Sequence, residues 1–227
     1  MGSVMKRWGI LMGFILISAM VTAWGDEAQK VPSGNDHPDF FAMHAKHGLL
    51  LVSNEDDSPF FVRVRGNDVQ QGTIGEGDDA FGVVVVDDLI VQFVTAGVTQ
   101  FYNGDLSKLT DEEILKKHVE WETDYLKEKL GPSFKLGMNF DIKGLNKKIY
   151  HYWTYDMPHS AEKGIKRNVM LTTRVKNEVV VLNGIMLDLD EKQEEALMQK
   201  LVEIMNTLTA FPDPITVNQA KTYAVQD

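Results

Sequence analysis

The sequence predicts an α+β fold in which an antiparallel β-sheet is covered by two amphipathic α-helices in a single domain. Short apolar or alternating runs occur in pairs separated by turn residues, which is typical of β-hairpins. Two longer segments carry apolar residues at helical spacing. Strands do not alternate with helices, and no glycine-rich phosphate loop follows a predicted strand, so a parallel doubly wound fold is not indicated.

The N-terminal segment has the organisation of a cleavable signal peptide. Lys6 and Arg7 precede an uncharged stretch from Trp8 to Gly25, whose apolar centre is followed by small residues. Cleavage after Ala23 or after Gly25 satisfies the small-x-small rule. An uncleaved anchor is the alternative, because about 18 uncharged residues is close to the minimum for a membrane span. We expect cleavage and export to a bacterial periplasm or to the extracellular space.

Composition restricts the partners that the chain can have. The net charge is −10, and removal of the two basic residues of the signal peptide makes it about −12. An acidic chain without a basic stripe is not typical of proteins that bind nucleic acid or anionic membranes. The chain has no cysteine, which excludes a disulfide scaffold and a lipid anchor on an N-terminal Cys. No cofactor is indicated.

The predicted organisation after the signal peptide (1–25) is a polar lead-in (26–46), an α+β domain (47–211) and a C-terminal tail (212–227). Hairpins are predicted at 49–65, 81–95 and 168–187 from paired runs around turn residues. A capping box at Thr110 and Glu113 begins a helix that ends before Gly131-Pro132. The segment 134–142 alternates apolar and polar residues, which predicts a half-buried strand with all its apolar residues on one face. A second amphipathic helix is predicted at 191–208.

The first candidate site is a His–Glu pair on the predicted helix at 111–130. His118 and Glu122 are four residues apart, so their side chains are neighbours in the seam between two apolar stripes. If this seam faces the sheet, a half-buried carboxylate lies beside an imidazole, as in general acid–base catalysis. The alternative is a structural pair at a wet edge of the helix. No serine, cysteine or second acid is placed to complete a catalytic site.

The second candidate is the aromatic strand, which consists of Tyr150, His151, Tyr152, Trp153 and Tyr155. Four rings within six residues occupy both faces of one strand. One interpretation is that some of them line a binding surface for a protein partner. The other is that a helix covers each face of the strand.

The third candidate is a metal site formed by three histidines. His44 and His47 are three residues apart, and His37 lies upstream. This spacing suits a metal ion on a helix or a tight turn. The segment lacks a helical pattern, so an exposed turn with incidental histidines is the favoured interpretation.

The order of elements in the C-terminal half resembles the PsbP-like fold. The resemblance covers Phe134–Phe211 and rests on the Tyr152-Trp153 strand, the long hairpin at Val169–Leu187 and the terminal amphipathic helix. It has no diagnostic motif, and no functional residue is carried over. The family contains extrinsic photosystem II subunits and periplasmic bacterial proteins, so the resemblance implies a non-enzymatic binding or assembly factor.

Three functions follow as hypotheses. The leading one is a non-catalytic exported accessory protein that binds a protein partner through the aromatic strand and neighbouring loops. A hydrolase-like enzyme using His118 and Glu122 is the second. A periplasmic metal-binding protein using His37, His44 and His47 is the third.

Overall fold

The structure is a computed structural model that describes residues 37–54, 58–72, 82–132, 134–158 and 164–226. The predicted signal peptide and most of the predicted lead-in lie outside these residues. The strands in chain order are β1 (Phe40–Ala45), β2 (Gly48–Ser53), β3 (Phe60–Arg65), β4 (Val69–Gly72), β5 (Val83–Val86), β6 (Leu89–Gly97), β7 (Leu136–Lys143), β8 (Ile149–Asp156), β9 (Arg167–Val175), β10 (Glu178–Met186) and β11 (Thr209–Ala210). The helices are α1 (Asp111–Leu130), α2 (Glu191–Asn206) and α3 (Val217–Ala224).

The strands form two antiparallel sheets. The large sheet has seven strands in the order β4-β5-β6-β10-β9-β8-β7, and the small sheet has four in the order β1-β2-β3-β11. All three predicted hairpins are present, as β2–β3, β5–β6 and β9–β10. The predicted α+β class is therefore confirmed. In the described ranges, no helix is both long enough and apolar enough to span a membrane.

The two longer helices lie on opposite faces of the large sheet. Helix α1 begins with the predicted capping box between Thr110 and Glu113 and packs on the face that carries Trp153 and Val181. Helix α2 packs on the other face, where Leu201 belongs to the same core cluster as Tyr152 and Leu182. Neighbouring residues of a strand point to opposite faces, so both faces of β8 and β10 are covered.

The small sheet shares one face of the large sheet with α2, which corrects the expectation of one sheet covered by two helices. Leu49 and Leu51 of β2 pack into the core cluster between the two sheets. Leu50 and Val52 point the other way and pack against α3. Because β2 is apolar on both faces, it needs a cover on both sides. The second sheet and the third helix supply that cover.

The domain also extends beyond the predicted boundaries. Strand β1 lies in the predicted lead-in and pairs with β2 along its whole length. Helix α3 lies in the predicted tail, where it begins with a capping box between Thr216 and Gln219. Its buried residues Val217, Ala220 and Ala224 have the i, i+3, i+7 spacing of one helix face. Strand β1 and helix α3 therefore belong to the folded domain, although the sequence placed them in the lead-in and the tail.

Candidate functional site

The aromatic strand β8 forms part of the core, which contradicts the predicted binding surface. Tyr150, Tyr152, Trp153 and Tyr155 are at most 1% exposed, and His151 is 3% exposed. The strand pairs with β7 on one side and β9 on the other, and a helix covers each of its faces. The alternative interpretation from the sequence, a strand between two helices, is the one that the structure supports.

The tyrosine hydroxyls of β8 fix helix α2 on the sheet. Tyr150 Oη donates a hydrogen bond to Asn206 Oδ1 over 2.8 Å, and Tyr152 Oη donates to Glu194 Oε1 over 3.1 Å. Glu194 also accepts from Arg167 Nη1 at 2.5 Å. Burial raises the pKa of Tyr150 to about 12, so its hydroxyl remains a donor at neutral pH. These contacts give the two tyrosines a structural role.

His151 is held by two oxygen atoms of the neighbouring strand β7. Its Nδ1 lies 2.6 Å from Asp141 Oδ1, and its Nε2 lies 2.5 Å from Asn139 Oδ1. The register places Asp141 directly opposite His151 and Asn139 opposite Trp153, so the three side chains share one face of the sheet. Both ring nitrogens of His151 are therefore in hydrogen-bonding contact with an oxygen atom.

A β-bulge in β7 creates this arrangement. Leu136 lies opposite Tyr155 whereas Asn139 lies opposite Trp153, so β7 contains one residue more than β8 over this interval. Leu136 therefore packs on the α1 face, while Phe140 packs at a tilt against Tyr152 on the α2 face, with ring centroids 4.9 Å apart.

The same bulge contradicts the prediction that all the apolar residues of 134–142 lie on one face of the strand. The apolar residues do not all point to one face, because the extra residue inverts the alternation at Gly137 and Met138. Met138 is 45% exposed and Phe140 is 42% exposed. Strand β7 lies at the end of the large sheet, so one of its sides has no neighbouring strand in the described part of the chain.

A groove of about 550 Å³ lies between α1 and β7. Its lining residues are Lys116, Val119, Glu120, Thr123, Asp124 and Lys127 of α1, Leu136, Asn139, Phe140 and Asp141 of β7, and His151 of β8. Lys116 Nζ lies 3.9 Å from Asp141 Oδ2, which places a cation beside the Asp141–His151 pair. Eight of the eleven lining residues are polar or charged, and Val119, Leu136 and Phe140 supply the apolar part of the groove.

Buried polar atoms without a hydrogen-bond partner lie under α1. They include Oγ1 of Thr123, both ring nitrogens of His118 and Nε1 of Trp153. Thr123 also lines the groove, but its Oγ1 atom is itself buried. An unpartnered buried polar group costs about 1–3 kcal/mol of stability.

The structure buries the His118–Glu122 pair completely. The two residues are 0% and 4% exposed, and His118 Nε2 lies 4.0 Å from Glu122 Oε1. Burial raises the pKa of Glu122 to about 8. Burial, and to a smaller extent the charge of His151, lowers the pKa of His118 to about 3. The seam thus faces the sheet, but neither residue is among those that line the groove.

The three candidate metal ligands lie at the surface. His37, His44 and His47 are exposed, with His44 in β1 and His47 in the turn before β2. No group of three or more His, Asp or Glu side chains with metal-binding geometry is found within the described ranges.

No protein-family model matches the chain, and no curated protein matches it. Among solved structures, the solution structure of cyanobacterial PsbP (CyanoP) from Synechocystis is similar, with a TM-score of 0.45 and 6% sequence identity. The match covers 81% of this chain and 97% of that chain.

The residues that line the groove were missed in the sequence, apart from His151. Asn139 and Asp141 alternate with apolar residues in the predicted strand and were assigned to its solvent face. Their relation to His151 depends on the pairing of β7 with β8 and on the bulge. The available signal was a histidine placed opposite an aspartate across a short hairpin, which requires the register to be known.

Proposed function

We propose that the chain is an exported, non-catalytic accessory protein that binds a protein partner along β7 and in the adjoining groove. One observation carries this proposal. Met138 and Phe140 are 45% and 42% exposed on a strand at the end of its sheet, next to a groove of about 550 Å³. Exposed apolar side chains beside a concave surface are typical of interaction sites. The contact surface is thereby assigned to β7 instead of the buried strand β8.

The chemistry of the groove favours binding over catalysis. The groove contains an Asp141–His151 pair, but the second ring nitrogen of His151, Nε2, is already in contact with Asn139 Oδ1 at 2.5 Å. A general base needs a free nitrogen within reach of its substrate. The other acid–base pair, His118 and Glu122, lies on the buried side of α1. A hydrolase-like activity at either pair would therefore require a rearrangement of the side chains.

The expectation of export belongs to the proposal and rests on residues 1–25. A cleaved signal peptide would deliver a domain of net charge about −12 to a compartment outside the cytoplasm. Large net charge keeps a protein soluble. A soluble exported domain with one apolar edge fits an accessory protein that acts by contact.

Co-purification from the native envelope or culture fluid tests the proposal. We expect Met138→Ser with Phe140→Ser to remove a partner that the wild-type chain retains. The matched control is Leu187→Ser with Leu189→Ser, because those side chains are 47% and 60% exposed and lie outside the groove. Retention of the same partners by the β7 variant would reject β7 as the contact surface.

A further inference from the structure

The charge distribution along β7 differs from that of the rest of the chain. Lys135, Lys143 and Lys147 are exposed in a protein of net charge −10, and none of them makes an ion pair within the described residues. Lys135 directly precedes the strand and Lys143 is its last residue. Strand β7 therefore has an apolar centre at Met138 and Phe140 between two basic ends.

Among the residues that the structure describes, no strand pairs with the side of β7 that faces away from β8. Strand β7 is terminal in the order of the large sheet, and a terminal strand presents backbone N–H and C=O groups to any extended chain that approaches it. Helix α1 lies beside this edge on one face of the sheet, where it forms the wall of the groove. A helix next to an open strand edge is the geometry in which domains bind peptides by strand addition.

We propose that β7 accepts an extended acidic segment of a partner protein as an additional antiparallel strand, the orientation that every strand pair of the large sheet has. This inference rests on the proposed function and specifies the occupant of its contact surface. Alternate side chains of the added segment contact Phe140 and Met138 on one face and enter the groove beside Lys116 on the other. Acidic residues at the two ends of the segment pair with Lys135 and Lys143, which lie eight positions apart.

A second copy of the chain is a poorer occupant of this edge. Two antiparallel copies of β7 would bring the lysines at their ends close to one another, and lysines on an edge strand are a common means of preventing self-association. An acidic segment converts the same lysines into attractive contacts, because complementary charge raises association rate and specificity. The charge pattern thus selects an acidic partner segment over the chain itself.

The probes are nine-residue peptides in which Val and Thr alternate between two terminal Glu-Glu pairs, with a Lys-Lys version for comparison. We expect fluorescence anisotropy to show the acidic peptide binding about tenfold more tightly than the basic one. Two further peptides carry N-methyl groups on either the odd-numbered or the even-numbered amides. One of them should lose binding and the other should keep it, because only one edge of the peptide faces β7.

Matched charge variants distinguish the effect of the lysines at the ends of β7 on peptide affinity from the effect of the protein's net charge. Lys135→Glu with Lys143→Glu should reduce the affinity for the acidic peptide about tenfold. Lys192→Glu with Lys221→Glu makes the same change in net charge on α2 and α3 and should leave the affinity unchanged. Amide resonances of β7 should shift on binding, whereas those of β4 at the opposite end of the sheet should not.

Three results of the peptide experiments would each overturn the inference. They are no binding of the acidic peptide up to about 1 mM, equal binding of acidic and basic peptides, and full binding by both N-methylated peptides. Light scattering gives a fourth test. A dimeric mass for the wild-type chain and a monomeric mass for Phe140→Ser would assign the edge to a second copy and would also overturn the inference. If the peptides do not bind while the Met138 and Phe140 variant still loses a partner in co-purification, β7 is supported as the contact surface and strand addition is rejected.

Discussion

His118 and Glu122 lie one turn apart on the inner side of α1, with 4.0 Å between Nε2 and Oε1, and neither is exposed to solvent. Burial disfavours the charged form of both groups, so His118 is a neutral imidazole and Glu122 is a protonated acid at neutral pH. The charge of His151 in β8 acts on His118, and the charge of Glu122 acts on Tyr155 of β8 and on Tyr125 of α1. The pair thus gives the fold a specific dependence on pH.

The pair predicts a plateau of stability between about pH 4.5 and pH 6.5, with a decline on either side. The folded pKa of Glu122 is raised from 4.5 to about 8, so its contribution is complete below pH 4.5 and is lost as the pH rises through 8. The folded pKa of His118 is lowered from 6.5 to about 3, so its contribution is complete above pH 6.5 and is lost as the pH falls towards 3. Between pH 4.5 and 6.5 the two slopes cancel. Urea unfolding from pH 3 to pH 9 measures this profile.

Two variants assign each side of this profile to one residue. Glu122→Gln keeps a neutral side chain of the same shape, so it should remove the decline between pH 6.5 and pH 8. His118→Phe keeps a ring against Phe101 and removes two unpartnered nitrogens, so it should remove the decline below pH 4.5. An alkaline decline of unchanged slope in Glu122→Gln would show that Glu122 is already ionised in the folded protein.

The strands β7 and β8 should respond to substitution in opposite ways. Trp153 is 0% exposed, so Trp153→Ala should lower the free energy of unfolding by about 3–5 kcal/mol. Phe140 is 42% exposed and contacts Tyr152, so Phe140→Ser should cost only about 1–2 kcal/mol while it weakens partner binding. Denaturant unfolding of both variants measures the difference. Equal costs would contradict the assignment of β8 to the core and β7 to the surface.

Helix α3 should be required for the stability of the small sheet. Ala220 is 0% exposed in the cluster with Leu50 and Phe61, so Ala220→Asp buries a carboxylate and should cost more than about 3 kcal/mol. Asn218→Asp is the control, since residue 218 is exposed in the first turn of the same helix, where a negative charge is tolerated. Equal melting temperatures for the two variants would show that α3 does not contribute to the core.

The predicted export can be tested by determining the N-terminus of the protein made in its own cell. We expect the mature chain to begin at Trp24 or Asp26, because both sites follow the small-x-small pattern. An exported chain that retains Lys6 and Arg7 would show an uncleaved anchor. A full-length chain confined to the cytoplasm would reject export.

The local patterns in the sequence predict individual elements well. The capping box at Thr110 defines the start of α1 because its hydrogen bonds are formed by residues three positions apart. The three hairpins follow from turn residues between short apolar runs. The α+β class then follows from the order of the elements. The small sheet was not predicted, because the separation of the strands into two sheets depends on contacts between distant parts of the chain.

The candidate site was predicted less well for the same reason. The rings of β8 were correctly identified as unusual, but whether they are exposed depends on what covers each face. The groove forms only when the bulge in β7 places Asn139 and Asp141 beside His151. A bulge adds one residue without a distinctive local pattern, so the alternation of 134–142 gave no sign of the change in face.

Photo-cross-linking from β7 tests the central claim most directly. Benzoylphenylalanine replaces Phe140 in one protein and Leu187 in the control, since the two side chains are 42% and 47% exposed. Illumination of cells that make each protein should yield a discrete cross-linked partner from position 140 and none from position 187. The absence of a cross-link at position 140, or the same partner at both positions, would contradict the assignment of β7 as the contact surface.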